Sequence, residues 1–251
     1  MTKGFVKKYE VNYHDVDSNL KCKLSSIINF LCDIGTTHSS AVGSTVEKVK
    51  EKGYSWVFYK YDIKMYRYPK YLDEIYLKTT PCGFKKFYAH RKYEITNSKG
   101  ELLGEAIALF ILININKRCP MRIPKEEYEL YGLDSNVSED IKMDDILKVN
   151  EENDAIKKFE VRYSDIDSNG HVNNVNYVKW AIESVPLEVF KSFDVERIKV
   201  IFEKECVYGD EVSITATLVE ENDDITSIHT ITNQDGKDLT KLEILWKKSS
   251  V

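Results

Sequence analysis

A carboxylate, an amide and an imidazole lie close together in the second half of this chain. They belong to the stretch VRYSDIDSNGHVNNVNYVKWAIESVP, residues 161–186, which is predicted to run from an extended segment through a short Asn/Gly/His turn into a helix. In an extended backbone, the spacing of Asp167, Asn169 and His171 points all three side chains to the same side. Such a group can accept, donate and orient protons, so we expect acid–base chemistry here.

A helix is predicted to begin near Asn173, directly after these three residues. From there on, apolar residues recur at helical spacing: Val175, Val178, Ile182 and Val185. The free N–H groups of the first turn and the positive end of the helix dipole would face the polar side chains. The sequence therefore predicts a site that stabilises developing negative charge.

Composition and charge exclude several classes of protein. The chain has 251 residues, of which 42% are hydrophobic and 12% aromatic, enough for one large core or two ordinary ones. A formal net charge of −5 argues against binding of nucleic acid. No run approaches the roughly 20 apolar residues of a membrane span, and the first ten residues lack the apolar core of a signal peptide. We expect a cytoplasmic protein that does not bind membranes.

The cysteines and the remaining histidines show no metal-binding pattern. Five cysteines are scattered without a CxxC pair or a disulfide spacing, so we expect reduced thiols, no metal and no cofactor. The other histidines are expected on the surface or in hydrogen bonds: His14, His38, His90 and His229.

Three sequence matches in the same order indicate an internal duplication. VNYHDVDSN at residues 11–19 and VRYSDIDSN at residues 161–169 are identical at six of nine positions. The other two matches pair residues 71–75 with 208–212, and residues 95–100 with 231–236. Each match alone is weak, but their common order makes two copies of one unit the simplest explanation.

Each copy has a helix followed by strands. In the first copy the apolar stripe of the helix is Leu24, Ile27, Ile28, Leu31 and Ile34. Alternating patterns predict strands at 55–65, 74–80, 87–96 and 102–116, and in the second copy at 197–207, 211–220, 226–232 and 239–247. The predicted fold is α+β, with a domain at 1–133, a linker at 134–157 and a domain at 158–251.

The segment DIDSNGHVNNVNYVKWAIESVP, followed later by Glu205-Cys206, resembles the acyl-acyl carrier protein thioesterases. The resemblance covers nearly the whole chain. It implies two tandem hotdog domains, each an antiparallel sheet wrapped around a central helix. It also implies hydrolysis of the thioester between a fatty acyl chain and the phosphopantetheine arm of acyl carrier protein, releasing a free fatty acid in fatty acid biosynthesis.

By this resemblance the catalytic residues are Asp167, Asn169, His171 and Glu205. The first copy has Lys21 where His171 stands, and Tyr68 aligns with Glu205. We therefore expect the first copy to be non-catalytic, and the resemblance implies that it holds the acyl chain.

Water is the expected nucleophile, activated by Glu205 together with His171. Asp167 would orient the imidazole or the amide, and the helix N-terminus near Asn173 and Asn174 would stabilise the oxyanion. A rival mechanism uses the Cys206 thiol. Since Glu205 and Cys206 are neighbours on a predicted strand, they would point to opposite faces, which favours water.

A purely structural role for these residues and two other functions for the protein remain as alternatives. Asp167 and Asn169 alone could form only a turn and a helix cap, but a histidine and a distant glutamate join them. Acyl-CoA thioesterase activity is a second enzymatic hypothesis, and a non-catalytic protein that only binds acyl thioesters is a third. Two paired copies in one chain are compatible with a monomer or a homodimer.

Two basic clusters are candidate docking surfaces for the acidic acyl carrier protein, although solvated strand faces would explain them equally well. The clusters are Lys60, Lys64, Arg67 and Lys70, and Lys85, Lys86, Arg91 and Lys92.

Overall fold

The chain packs as two compact units in the computed structural model, which describes residues 4–134, 141–148 and 155–249. Unit 1 comprises residues 1–143 and unit 2 residues 144–251. Much of the predicted linker, namely residues 135–140 and 149–154, lies outside the described residues. The domain boundaries at 133 and 158 therefore stay predictions.

Unit 1 is an antiparallel sheet with one long helix against it. Its strands are β1 (Phe5–Glu10), β2 (Tyr54–Met65), β3 (Glu74–Lys85), β4 (Tyr88–Asn97), β5 (Leu102–Asn114) and the short β6 (Cys119–Pro120). Its helices are α1 (Leu24–Ala41), α2 (Val46–Glu51) and α3 (Lys125–Leu130). The strand order is β1-β3-β4-β5-β2, and β6 pairs with β5. The predicted stripe of α1 is buried along its whole length, and this helix packs against β1 and β3.

Unit 2 repeats this plan with a shorter helix. Its strands are β7 (Ala155–Glu160), β8 (Phe193–Phe202), β9 (Glu211–Glu221), β10 (Asp224–Asn233) and β11 (Asp238–Lys248). Its helices are α4 (Asn174–Glu183) and α5 (Leu187–Ser192). The strand order is β8-β11-β10-β9-β7, and α4 packs against β9, β10 and β11. The two units confirm the predicted α+β fold, in which each copy wraps an antiparallel sheet around one helix.

Strand bulges account for two differences from the predicted elements of unit 1. The alternation predicted for β2 holds for Tyr61, Ile63 and Met65, which are buried, but a bulge against β5 interrupts it between Phe58 and Lys60. A second bulge in β3, between Pro81 and Gly83, lets that strand continue to Lys85, five residues beyond its predicted end. A bulge removes a residue from the ladder, so it shifts the alternation without ending the strand.

β8 ends at Phe202, so the prediction that places Glu205 and Cys206 on a strand is wrong. The neighbouring strand β11 begins only at Asp238. The N–H groups of Glu203 and Lys204 both reach the carbonyl oxygen of Leu239, at 2.8 and 3.1 Å. Since the ladder between the two strands ends there, residues 203–207 leave the sheet and follow an irregular path.

One of the two basic clusters is not a single surface. Lys85, Lys86 and Lys92 are exposed, whereas Arg91 is buried at 7% exposure. Arg91 alternates with Ala89 and Tyr93 on the buried face of β4. The prediction that Arg91 belongs to an exposed docking cluster is therefore wrong.

Candidate active site

The residues from Ile166 to Val172 form a tight hairpin rather than an extended segment. The N–H of Asp167 donates to the carbonyl of His171 at 2.8 Å, and the N–H of Gly170 donates to the carbonyl of Asp167 at 3.1 Å. The Asp167 carboxylate accepts the N–H of Asn169 at 2.7 Å, a turn that aspartate favours. Gly170 has φ = +82°, which a glycine adopts without steric cost. The predicted Asn/Gly/His turn is therefore confirmed, whereas the expectation that the three side chains project from one extended backbone was wrong.

The hairpin places the predicted site residues in two pairs. At its tip, the Asn169 amide nitrogen lies 3.4 Å from the Asp167 carboxylate. On its second arm, Nε2 of His171 lies 3.3 Å from Oε2 of Glu205. The side chains of His171 and Glu205 are 29% and 43% exposed, so solvent reaches both. An imidazole this close to a carboxylate can remove a proton from water.

The helix that follows begins as predicted. Asn173 caps α4, and its side-chain oxygen accepts the N–H of Val175 at 3.1 Å. The N–H of Asn173 donates to the carbonyl of Asp165, and the N–H of Asn176 donates to the carbonyl of Asn173, both at 2.8 Å. Since the N–H groups of Asn173, Val175 and Asn176 already have acceptors, the N–H of Asn174 is the remaining candidate donor for the predicted oxyanion site.

Cys206 is held in place from two sides. Its carbonyl accepts the N–H of Val172 at 3.0 Å, which joins it to the hairpin. Its own N–H donates to the hydroxyl of Tyr177 at 3.2 Å, and its Sγ lies 3.1 Å from the same hydroxyl. These contacts fix the residue that directly follows Glu205, and thereby the position from which Glu205 reaches His171.

Tyr177 is the site residue that the sequence reasoning missed. It lies on α4 beside Val178 and is only 2% exposed, so its ring belongs to the apolar face of the helix. Its hydroxyl could have indicated a further role, because a buried tyrosine O–H normally has a hydrogen-bond partner. That partner is supplied by a residue 29 positions away.

The environment of Cys206 does not favour a nucleophilic thiol. Burial, together with the charges of Asp210 and Asp165, raises the pKa of this thiol to about 11 even though its contact with Tyr177 acts in the opposite direction. The sulfur faces Tyr177 in the core, while the Glu205 carboxylate reaches His171. The two neighbours thus point in different directions, as expected, although a loop rather than a strand separates them.

Unit 1 contains the same backbone arrangement with different side chains. The N–H of Asp17 donates to the carbonyl of Lys21 at 2.8 Å, and the N–H of Cys22 donates to the carbonyl of Pro69 at 2.8 Å. These bonds repeat those of Asp167 and Val172 in unit 2. In place of the histidine and the glutamate, the Lys21 ammonium lies 5.9 Å from the centre of the Tyr68 ring. That pair offers no imidazole and no carboxylate for proton transfer.

No group of three or more His, Cys, Asp or Glu side chains within residues 4–134, 141–148 and 155–249 could hold a metal ion. Among the helices of those same residues, none is both long and apolar enough to cross a membrane.

Individual relatives of this chain are distant in sequence. It is 25% identical over 247 residues to the chloroplastic oleoyl-acyl carrier protein thioesterase of Coriandrum sativum, an alignment that spans 90% of this chain and 66% of that protein. It is 23% identical over 285 residues to the chloroplastic oleoyl-acyl carrier protein thioesterase 1 of Arabidopsis thaliana, spanning 98% of this chain and 76% of that protein. This chain therefore spans about two thirds to three quarters of the length of these relatives.

The fold is shared with a solved structure and with two family models. The crystal structure of a putative oleoyl thioesterase from Lactobacillus plantarum superposes with a TM-score of 0.93 at 22% identity, covering 100% of this chain and 98% of that one. The model of the acyl-ACP thioesterase N-terminal domain matches residues 2–131, and that of the C-terminal domain matches residues 148–248. Because these two matches account for nearly the entire sequence, the chain belongs to the acyl-ACP thioesterase family.

Proposed function

We propose that this protein hydrolyses fatty acyl thioesters of acyl carrier protein and releases free fatty acids for fatty acid biosynthesis. Membership of the acyl-ACP thioesterase family supports the substrate class. The observation that carries the proposal is the 3.3 Å contact between His171 and Glu205 beside the hairpin of unit 2. Unit 1 lacks this pair, so the chemistry belongs to unit 2.

In the proposed mechanism, His171 and Glu205 activate a water molecule. The Glu205 carboxylate accepts the Nε2–H of His171, which leaves the Nδ1 lone pair of the imidazole to take a proton from water. The resulting hydroxide attacks the thioester carbonyl carbon. The negative charge of Glu205 stabilises the imidazolium that forms, as a carboxylate does in a catalytic triad.

The amide of Asn169 and the N–H of Asn174 would stabilise the tetrahedral intermediate. Asp167 accepts the backbone N–H of Asn169 and lies near its amide nitrogen, so it limits the orientation of that side chain. Preorganised donors of this kind contribute most when they are aimed at the developing oxyanion. Asp167 is thus proposed as a positioning residue and Asn169 as an oxyanion donor.

Collapse of the intermediate breaks the bond between the carbonyl carbon and the phosphopantetheine sulfur. The imidazolium of His171 returns its proton to the departing thiolate, so the products are a free fatty acid and the thiol form of the carrier protein. Proton uptake and release at one imidazole balance over the cycle.

The proposal is tested by measuring free fatty acid released from a panel of acyl carrier protein thioesters and the matching CoA thioesters. Glu205→Gln removes the negative charge and keeps the shape, and turnover is expected to fall on the order of 10²-fold or more. The matched control is Glu203→Gln on the same segment, whose carboxylate lies 3.7 Å from Lys241 rather than beside His171. This control should keep normal turnover.

Three outcomes would contradict parts of the proposal. Normal turnover of Glu205→Gln would exclude the assigned pair. Preference for CoA thioesters would identify an acyl-CoA thioesterase. Tight binding of thioesters with no hydrolysis of any of them would identify a binding protein.

A further inference from the structure

A buried asparagine joins the first turn of α4 to the segment that leads into the hairpin. Asn176 is only 6% exposed and lies among the core side chains of α4, which include Val175 and Val178. Its amide nitrogen donates to the backbone carbonyl of Asp165 at 3.0 Å. Since a buried amide is unfavourable unless it is hydrogen-bonded, this contact constrains both segments.

Both ends of this hydrogen bond are held by further contacts. The ammonium of Lys179 donates to Oδ1 of Asn176 at 3.2 Å, and an ammonium can only donate. The amide nitrogen is therefore the atom that faces Asp165. The carboxylate of Asp165 accepts the backbone N–H of Arg162 at 2.9 Å and the guanidinium of the same residue at 2.9 and 3.1 Å. The donor and the acceptor are thus both fixed in orientation.

The carbonyl of Asp165 accepts two hydrogen bonds from α4. The backbone N–H of Asn173 supplies the first at 2.8 Å, and the side chain of Asn176 supplies the second. A carbonyl oxygen has two lone pairs, so it can accept both at once. One bond alone would let the helix pivot about a single point of attachment. The second bond, three residues further along the helix, restricts that motion.

This double attachment connects the two parts of the candidate active site. The hairpin begins directly after Asp165, at Ile166, which forms a bridge with Val172. His171 precedes Val172 on the second arm, whereas the backbone N–H of Asn174 belongs to the first turn of α4. The attachment at Asp165 therefore sets the position of the candidate oxyanion donor relative to the imidazole.

Unit 1 has the first of these bonds and lacks the second. The N–H of Lys23 donates to the carbonyl of Asp15 at 2.8 Å, which repeats the backbone bond of unit 2. Ser26 stands at the position of Asn176 in the duplicated sequence and is also buried, at 5% exposure. Its hydroxyl makes no hydrogen bond with any residue that the structure describes. The fold therefore does not require the second bond, which occurs in the unit that carries the proposed catalytic pair.

We propose that Asn176 is a positioning residue for thioester hydrolysis. It holds the first turn of α4 so that the N–H of Asn174 faces the oxygen of the carbonyl group that is attacked by the water activated by His171. This inference rests on the proposed function, because the arrangement matters only for a reaction that needs both groups. An oxyanion donor contributes most when it is fixed in advance, and a small displacement removes much of its effect.

Asn176→Ser tests the second bond with the side chain that unit 1 carries at the same position. The variant should fold as the wild type does, which its melting temperature checks. Its kcat for an acyl carrier protein thioester should fall about tenfold with little change in KM, because Asn176 contacts no reacting atom. Ser26→Ala is the matched control in unit 1 and should leave both constants normal.

Asn176→Asp separates the hydrogen bond from the shape of the side chain. Aspartate keeps an acceptor for Lys179, but its ionised carboxylate cannot donate to the carbonyl of Asp165. At neutral pH its kcat should therefore fall at least as far as that of Asn176→Ser. In acid, the protonated carboxyl can donate again, so the ratio of its kcat to that of the wild type should rise. The same ratio for Asn176→Ser should not depend on pH.

The outcomes separate this inference from the function on which it rests. If the wild type hydrolyses no thioester, the proposed function and this inference both fail. If the wild type is active and Asn176→Ser keeps a normal kcat, only the inference is overturned. An equal loss of kcat in Ser26→Ala would overturn it, because the effect would not be specific to unit 2. Failure of both Asn176 variants to fold would overturn it as well, since the amide would then serve the fold.

Discussion

The hydroxyl of Tyr177 accepts the backbone N–H of Cys206 at 3.2 Å, one residue after Glu205. The irregular segment that carries Glu205 has no strand hydrogen bonds to fix its position. The bond from Cys206 to Tyr177 helps to fix it instead. Tyr177 itself is fixed within α4 and by ring contacts to Trp180 and Phe202 at 5.5 and 6.0 Å. A core tyrosine thereby sets the position of a solvent-accessible carboxylate.

Tyr177→Phe should lower kcat about tenfold and leave KM nearly unchanged. The variant keeps the ring but leaves the N–H of Cys206 buried and unpaired, which costs roughly 1–3 kcal/mol and lets Glu205 move away from His171. Steady-state kinetics on one acyl carrier protein thioester checks the split between kcat and KM.

Tyr61→Phe is the control for this prediction. It removes another buried hydroxyl, 3.5 Å from the sulfur of Cys32, in the unit without the proposed catalytic pair. Equal turnover of the two variants would show that Tyr177 only supports packing.

His171→Ala should reduce turnover on the order of 10²-fold or more, because it removes the proposed proton acceptor. Lys21→Ala, at the same backbone position in unit 1, should leave turnover within about twofold. Both residues lie at hairpin positions with the same hydrogen bond to an aspartate N–H, so the comparison isolates the side chain. A large effect of Lys21→Ala would assign a chemical role to unit 1.

Cys206→Ala should keep turnover within a few-fold of the wild type. The substitution removes the sulfur but retains the N–H that Tyr177 accepts and the carbonyl that Val172 donates to. In the wild type, iodoacetamide should modify the exposed Cys119 well before Cys206, whose thiol is buried and has a raised pKa. Mass spectrometry of alkylated peptides checks this order, and a 10²-fold loss in Cys206→Ala would instead favour an acyl-thiol intermediate.

Stability should fall in acid because of His229. Burial lowers the pKa of this histidine to about 3, from 6.5 in an unfolded chain. Below pH 6.5 the unfolded state therefore binds more protons, and the free energy of unfolding decreases as the pH drops from 6.5 toward 3. Between pH 7 and pH 5 this one group should remove about 2 kcal/mol.

His229→Asn has no titrating group at this position. Its free energy of unfolding should therefore change by about 2 kcal/mol less than that of the wild type between pH 7 and pH 5. Urea unfolding of both proteins at the two pH values measures the difference. His38 contributes in the same direction in both proteins and cancels in the comparison. Parallel pH dependences would contradict the assignment.

Local patterns predicted much of the fold. The stripe of α1 follows from periodicity alone, and all five of its predicted residues are buried. Asn173 was predicted as the start of α4 because a capping residue precedes an apolar helical pattern, and it does cap that helix. In each case the deciding interactions lie within a few residues of one another.

The features that local sequence patterns failed to predict depend on contacts between residues far apart in the sequence. β8 ends where its partner β11 begins, and no property of residues 203–207 themselves reveals this limit. Similarly, the burial of Arg91 depends on which face of β4 meets α1. The alternating pattern does not show this, and the charge of Arg91 therefore led to the prediction of an exposed residue. The His171–Glu205 contact was inferred only through resemblance to a family, since 34 residues separate the two in sequence.

The duplicated hairpin has a consequence for how this chemistry could be transplanted. Unit 1 holds Lys21 and Tyr68 on the same hydrogen-bonded backbone that holds His171 and Glu205 in unit 2. Its tip residue Leu20 even adopts φ = +58°, the left-handed conformation that Gly170 adopts without strain. Lys21→His together with Tyr68→Glu would thus place the side chains of the proposed pair on a backbone with the same hydrogen bonds. Unit 1 therefore offers the same backbone without the two side chains, so the activity that each side chain adds could be measured one substitution at a time.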